Sequence, residues 1–301
     1  MPDRFRDSSV LHVQDLYQGF GDRIVLDNLD LSVQAGEFVT VVGPSGCGKS
    51  SLLRIIIGQD RPLSGEILVE GRVFTAPSTD RGVVYQHYSL FPHLSALENV
   101  LVGRRLSLWP WQWPARRKDY VEEAMAVLEK ADMAGHADKL PHQLSGGQRQ
   151  RIAIGQALIQ KPTILCMDEP FSALDPGTRE SMQLFLLEMW EEFEMTIFFV
   201  THDLEEAVYL GTRLVALSQY YTDDRDEIPA DRGAKIVLDQ PLRRMGTAAG
   251  PSAKATADFG EMVQGIRLQA FDPEYRQHVR DFELTHPQSW ATLTPHEDGG
   301  G

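Results

Sequence analysis

FVTVVGPSGCGKSSLLRIIIG, residues 38–58, decides the fold. Phe38–Val42 is an unbroken apolar run and reads as a strand buried on both faces. Leu52, Leu53, Ile56 and Ile57 then recur at helical spacing as far as the stop at Gly58. Between strand and helix lie Gly43, Pro44, Ser45, Gly46, Cys47, Gly48, Lys49, Ser50 and Ser51, a match to G-x-x-x-x-G-K-[ST]. Glycines there let backbone N–H groups converge on phosphate oxygens at a helix N-terminus. Lys49 reaches the β/γ oxygens of a nucleotide and the Ser50 hydroxyl meets Mg²⁺.

Upstream, VLHVQDLYQGF, IVLDNLDLSV and EFVTVVG read as short strands, with a turn at Ala35-Gly36. Downstream, EILVEGRVF and GVVYQ are further strands. From about residue 90 to 160 the pattern is helical, and KDYVEEAMAVLEK puts Val121, Met125 and Leu128 on one face. TILCM, TRESMQLFLLEMWEEF, TIFFV and DLEEAVYL then alternate strand with helix, which predicts a parallel sheet covered on both faces.

The 301 residues are 42% hydrophobic and 24% charged, enough for a real core. No apolar run is long enough for a membrane span, and MPDRFRDSSV is too polar for a secretion signal. Only two cysteines occur, Cys47 and Cys166, so a disulfide framework is not expected and both read as buried fillers. A net charge of −14 repels a polyphosphate backbone, so nucleic acid is not expected as a partner.

A second phosphate cradle, LSGGQRQR, lies at 144–151: a Ser-Gly-Gly turn opening a helix, with no lysine. Between the cradles and the end of the chain, Ile164–Met167 delivers Asp168, a carboxylate placed to complete a magnesium shell, and Glu169, placed to polarise a water. Taken alone, these two acids also suit helix capping.

Together these residues resemble the nucleotide-binding subunit of ATP-binding cassette (ABC) transporters over nearly everything from residue 10 to about 240. The resemblance implies an α/β P-loop NTPase: a RecA-like parallel-sheet core, an N-terminal antiparallel β subdomain and an inserted α-helical subdomain. The implied boundaries are 1–242 for the ATPase domain, with core and β subdomain at about 10–88 and 160–242 and the helical subdomain at about 89–159. Residues 243–301 are then a linker and a short C-terminal extension.

LSGGQ is the family's signature, and two subunits face each other head to tail so that one signature closes on the γ-phosphate held by the other's P-loop. The resemblance therefore gives Ser145, Gly146, Gly147 and Gln148 to a partner's ATP. Gln86 resembles the Q-loop glutamine that touches Mg²⁺ and water, and Phe20 the aromatic that stacks on adenine, with Tyr17 a competitor. Asp175 resembles the D-loop and His202 the switch histidine at the γ-phosphate; His87, His93, His136 and His142 match nothing and read as surface. ATP and Mg²⁺ are the implied ligands. Implied partners are a second copy or paralogue, transmembrane permease subunits and, indirectly, a solute-binding protein, at the cytoplasmic face of the cell membrane.

GPSGCGKSS, MDEPFSALDPGTRE and THDLEEAVYLGTR look most like bacterial importers of the nitrate/sulfonate/taurine branch. A soluble non-transport ATPase of the superfamily and an exporter subunit are the alternatives; a simple P-loop kinase or GTPase has no task for LSGGQ. Two stretches depart from the family. SQYYTDDRDEIPADRGAK is longer than the family's loop and reads as a solvated acidic hairpin. GRRLSLWPWQWPARRK, with Trp109, Trp111 and Trp113 spaced by two and prolines at 110 and 114, reads as an extended loop flanked by cations, with Trp rings folded onto the helical insert as the alternative.

Overall fold

The computed structural model describes residues 9–73, 76–86, 89–106, 113–225, 232–242, 254 and 256–292. The chain divides into two compact units, Met1–Pro77 with Thr196–Gly301, and Ser78–Met195. Among the described residues no helix is long and apolar enough to cross a membrane.

In the first unit β1 (Leu11–Phe20) and β2 (Arg23–Val33) pair antiparallel. A turn at Gly36 leads into β3 (Phe38–Val42), every residue of which is buried, and α1 (Lys49–Ile56) follows. β4 (Ser64–Val69) returns antiparallel to β1, and β5 (Arg72–Val73) pairs with β4.

The second unit opens with β6 (Arg81–Tyr85) and continues through α2 (Ala96–Leu106), α3 (Trp113–Lys130) and α4 (Gly146–Leu158). β7 (Ile164–Asp168) pairs parallel with β6, and α5 (Pro176–Phe193) closes the unit. Trp113 is not in an extended loop. It opens α3, where Pro114 is tolerated because first-turn N–H groups have no intrahelical partner. Its ring stacks on Tyr120 two turns on, at 6.2 Å and 15°, with the Arg105 guanidinium 5.9 Å from its centroid. Trp109 and Trp111 lie outside the described residues.

The chain re-enters the first unit with β8 (Thr196–Val200), α6 (Leu204–Leu210) and β9 (Arg213–Ser218). β3 runs parallel to both β8 and β9, and the run-like apolar sequences of all three reflect burial on both faces. After β10 (Tyr221–Thr222), β11 (Lys235–Pro241) pairs antiparallel with β9. α7 (Ala257–Phe271) buries Phe259, Val263, Ile266 and Ala270. β12 (Gln277–His278) pairs with β10, and β13 (Glu283–Leu284) adds a parallel edge to β11. A parallel sheet core, an antiparallel sheet and a helical region are thus all present, as the sequence implies.

In the described part of the acidic stretch after β9, Asp224 is exposed but Asp223 is not solvated. The Asp223 side chain is fully buried, paired with Arg225 and with Arg232 at 2.8 Å, and Arg225 reaches Asp27 at 2.7 Å. Tyr221 is buried and donates its hydroxyl proton to Asp27 at 3.1 Å. Residues 226–231 of this stretch lie outside the described residues. The last described segment packs on the first unit. Trp290 Nε1 and Thr292 Oγ1 both donate to Asp30, at 3.1 and 2.7 Å, and the Trp290 ring stacks on His12 at 6.0 Å.

Candidate nucleotide site

In the first unit, Val41 and Val200 are register partners and Thr201 N donates to Val41 O at 3.2 Å. The glycine loop after β3 and the turn carrying His202 therefore leave adjacent parallel strands at the same, C-terminal end, where open α/β sheets bind their ligands. The loop's glycines are required by space as well as by conformation. A Cβ on Gly43 would lie 2.2 Å from the Leu217 carbonyl oxygen, and Gly48, at φ 96°, would meet the Leu26 side chain at 2.6 Å. Gly48 is the N-cap of α1 and supplies no side-chain acceptor, so the first turn keeps the partial positive charge that attracts an anion.

Lys49 is buried, and its ammonium donates to the carbonyls of Gly43 and Pro44 at 2.7 and 2.9 Å. The loop thus holds the lysine charge at its own mouth. Ser45 is exposed and Ser50 and Ser51 are half-buried. Cys47 is buried beside Lys49, and burial pushes its thiol up; burial pushes Cys166 up to about 12. Both are inert fillers, as their sequence context suggests. His202 is exposed between Thr201 and Asp203; Asp203 caps α6 through Glu206 N at 3.1 Å, and Thr201 Oγ1 donates to Glu206 at 2.7 Å. Phe20 is 57% exposed at the end of β1, whereas Tyr17 is half-buried within that strand, so Phe20 has the face free for stacking.

In the second unit, Tyr85 and Asp168 are register partners. Gln86, exposed, and Asp168 and Glu169, half-buried, thus emerge together from the C-terminal end of the β6–β7 pair. Glu169 sits at φ +46°, a conformation non-glycine residues rarely adopt. Its carbonyl accepts from Ser172 Oγ at 2.9 Å and from Ser172 N at 3.3 Å. Asp175 is exposed and caps α5, accepting from the Thr178 hydroxyl and from Thr178 N at 3.1 Å, and those hydrogen bonds hold its carboxyl below the usual range.

Ser145 caps α4: its hydroxyl accepts from Gln148 N at 3.3 Å while Gln148 Oε1 accepts from Ser145 N at 3.0 Å. This reciprocal box, readable in the S-x-x-Q spacing, fixes the turn that carries Gly146 and Gly147. His93 and His142 are exposed, His136 is half-buried, and His87 lies outside the described residues. Two residues that no sequence motif singles out are Ser172, which holds the Glu169 carbonyl, and Thr178, whose methyl lies against Gly147. Neither contact leaves a periodic trace.

Residues 26–172 match the family model described as ABC transporter. A nitrate import ATP-binding protein of Synechocystis sp. is 41% identical over 212 residues, 69% of this chain and 77% of that protein. A spermidine/putrescine import ATP-binding protein of Nitratidesulfovibrio vulgaris is 42% identical over 213 residues, 70% of this chain but 56% of that protein. Among solved structures, a dimeric ATP-binding cassette in a post-hydrolysis state with ADP and Pi superposes with a TM-score of 0.60 and 29% identity, covering 77% of this chain and 99% of that one. The strand–glycine loop–helix, the signature turn and these relatives agree: the chain belongs to the ABC transporter family, as an ATP-binding and ATP-hydrolysing transporter subunit.

Proposed function

We propose that this subunit powers a membrane importer by ATP-driven, head-to-tail closure of two cassettes, and that the cargo is a small anionic solute of the nitrate/sulfonate/taurine type. The observation that carries the closure is the pair of phosphate-receiving turns, one with a buried lysine and one built only from a capped Ser-Gly-Gly turn. A cradle without a cation suits a phosphate whose charge is already matched elsewhere. Two signatures giving two or three charge-assisted hydrogen bonds each, at about 1.5–3 kcal/mol, supply on the order of 10 kcal/mol gross. Association costs of about 4–15 kcal/mol consume most of that. Closure then depends on ATP and reverses once the γ-phosphate leaves.

In this reading Gly43–Ser51 bind the triphosphate, Phe20 stacks on adenine, Glu169 takes the proton of the attacking water and His202 steadies the γ-phosphate. Ser145, Gly146, Gly147 and Gln148 serve the partner's ATP, and Asp175 carries the D-loop contact. Mg²⁺ fits the donor set of Ser50, Gln86 and Asp168, all hard oxygens. Bound there, it would neutralise charge developing on the β/γ oxygens. Permease subunits at the cytoplasmic face of the membrane, with a solute-binding protein beyond them, complete the assembly.

The cargo reading is supported by the nitrate import relative, 41% identical over 69% of this chain, and by an aliphatic sulfonates import relative, 42% identical over 64% of it. The closure is tested by the specific ATPase activity of the isolated subunit, which should rise with protein concentration because the active species is a dimer. Constant specific activity across a wide dilution series would refute it. The cargo is tested by uptake of nitrate, sulfonate or taurine into vesicles carrying the co-purified permease; exclusive uptake of a polyamine would overturn that part.

A further inference from the structure

Gly147 lies in the first turn of α4, where glycine weakens a helix, yet its φ is not positive. Conformation does not explain it. Space does: a Cβ at Gly147 would lie 2.6 Å from the Cγ2 methyl of Thr178. Thr178 is β-branched and stiff, and it sits in the first turn of α5, fixed by Asp175, whose Oδ1 accepts its N–H at 3.1 Å. One turn further along α4, Arg151 donates to Ser181 Oγ at 3.3 Å and lays its guanidinium 4.7 Å from the Phe185 ring centroid. The two helices are therefore pinned at successive heights, and the first of these contacts joins the signature glycine to the turn that follows Glu169.

We propose that Thr178 is a positioning residue for ATP hydrolysis: its methyl seats Gly147, so that the turn from Glu169 to Asp175 and the signature that receives the partner's γ-phosphate move as one body. The inference rests on the signature reading above. A shift of the Asp175 turn carries Thr178 with it, and a close-packed contact passes that shift to the Gly147 amide rather than absorbing it. The methyl is the group that faces Gly147, whereas the Thr178 hydroxyl and N–H both serve Asp175, so serine, which keeps the hydroxyl, and valine, which keeps a methyl, separate the two contacts.

The experiment compares Thr178→Val, which keeps a methyl at that place, with Thr178→Ser and Thr178→Ala, which remove it. Each is read for ATP affinity of the dilute subunit, for kcat, for thermal stability and for ATP-dependent dimer formation in a Glu169→Gln background. Serine and alanine should weaken dimer formation and lower kcat by about 2- to 30-fold while cis ATP affinity and thermal stability stay near wild type, and valine should restore both. Gly147→Ala should block dimer formation, and adding Thr178→Ser should recover part of it by making room for the new methyl. Wild-type kcat and dimer formation in the serine and alanine variants would overturn the inference, as would parallel loss of cis ATP affinity or a valine variant as defective as alanine. If Glu169→Gln alone fails to form an ATP-dependent dimer, the signature reading falls and Thr178 with it; if it dimerises and the Thr178 variants are silent, only the coupling falls.

Discussion

Ser172 holds Glu169 by two bonds to one atom: its hydroxyl and its amide both donate to the Glu169 carbonyl, at 2.9 and 3.3 Å. That carbonyl belongs to a residue at φ +46°, one step beyond the register pair Tyr85–Asp168. A left-handed non-glycine residue costs about 1–3 kcal/mol and persists where its surroundings over-determine it. The strain sits at the carboxylate assigned to the attacking water.

Replacing Glu169 by glutamine keeps size and hydrogen-bonding reach but removes the base. Turnover should fall about 10²- to 10⁴-fold with ATP affinity retained. Steady-state hydrolysis and equilibrium nucleotide binding on the same preparation check this, and wild-type turnover would remove Glu169 from the role.

The two cradles should separate by mutation. Lys49→Ala removes the buried ammonium from the loop mouth and should abolish nucleotide binding by the single subunit. Ser145→Arg leaves that loop untouched, so binding by the dilute subunit should stay at wild type while hydrolysis is lost. Equal loss of binding in both variants would show that the signature acts in cis.

Within the glycine loop, Gly43→Ala should be far more damaging than Gly46→Ala. The added methyl at 43 would meet the Leu217 oxygen at 2.2 Å, whereas nothing lies within 4 Å of one at 46, which carries only the strain of φ 80°. That strain alone costs about 1–2 kcal/mol. Thermal melts should show a small loss for Gly46→Ala and a much larger one, with loss of ATP binding, for Gly43→Ala; equal losses would mean the close approach at Gly43 is relieved by a loop shift.

How much of this was readable beforehand follows from how local each feature is. The strand, glycine loop and helix at 38–58 are consecutive, so apolar runs and glycine punctuation disclose them, and Ser145–Gln148 shows its cap in four residues. The contact of Thr178 with Gly147 has no such trace, because neither residue type is unusual at a helix start. Asp223 reads as surface acid until Arg225 and Arg232 fold onto it, and Trp290 reads as a tail residue although its N–H donor reaches Asp30, 260 positions away. Trp113 misleads for the opposite reason: prolines argue against a helix interior, but the first turn accepts them.

Asp223 and the half-buried Glu37 both contribute to the acid sensitivity of the fold. Burial pushes the Asp223 carboxyl up, but hydrogen bonds from Arg225 and the charges of Arg225 and Arg232 outweigh it and hold the group below the ordinary 3.8. At Glu37, burial is likewise outweighed by the hydrogen bond from His286 and the charge of Arg213, which hold it below 4.5. Because the folded values are depressed, the unfolded chain takes up protons first as pH drops. The stabilisation is complete above the ordinary carboxylate range and is lost as pH falls through it toward the lower folded values. Thermal stability followed by calorimetry should therefore stay level from neutrality to about pH 5 and decline below that. Asp223→Asn should be less stable at pH 7 by about 1–3 kcal/mol, because Arg232 loses its buried carboxylate partner while Arg225 keeps Asp27, and its acid decline should be shallower. An acid decline as steep as wild type would show that Asp223 does not carry this dependence.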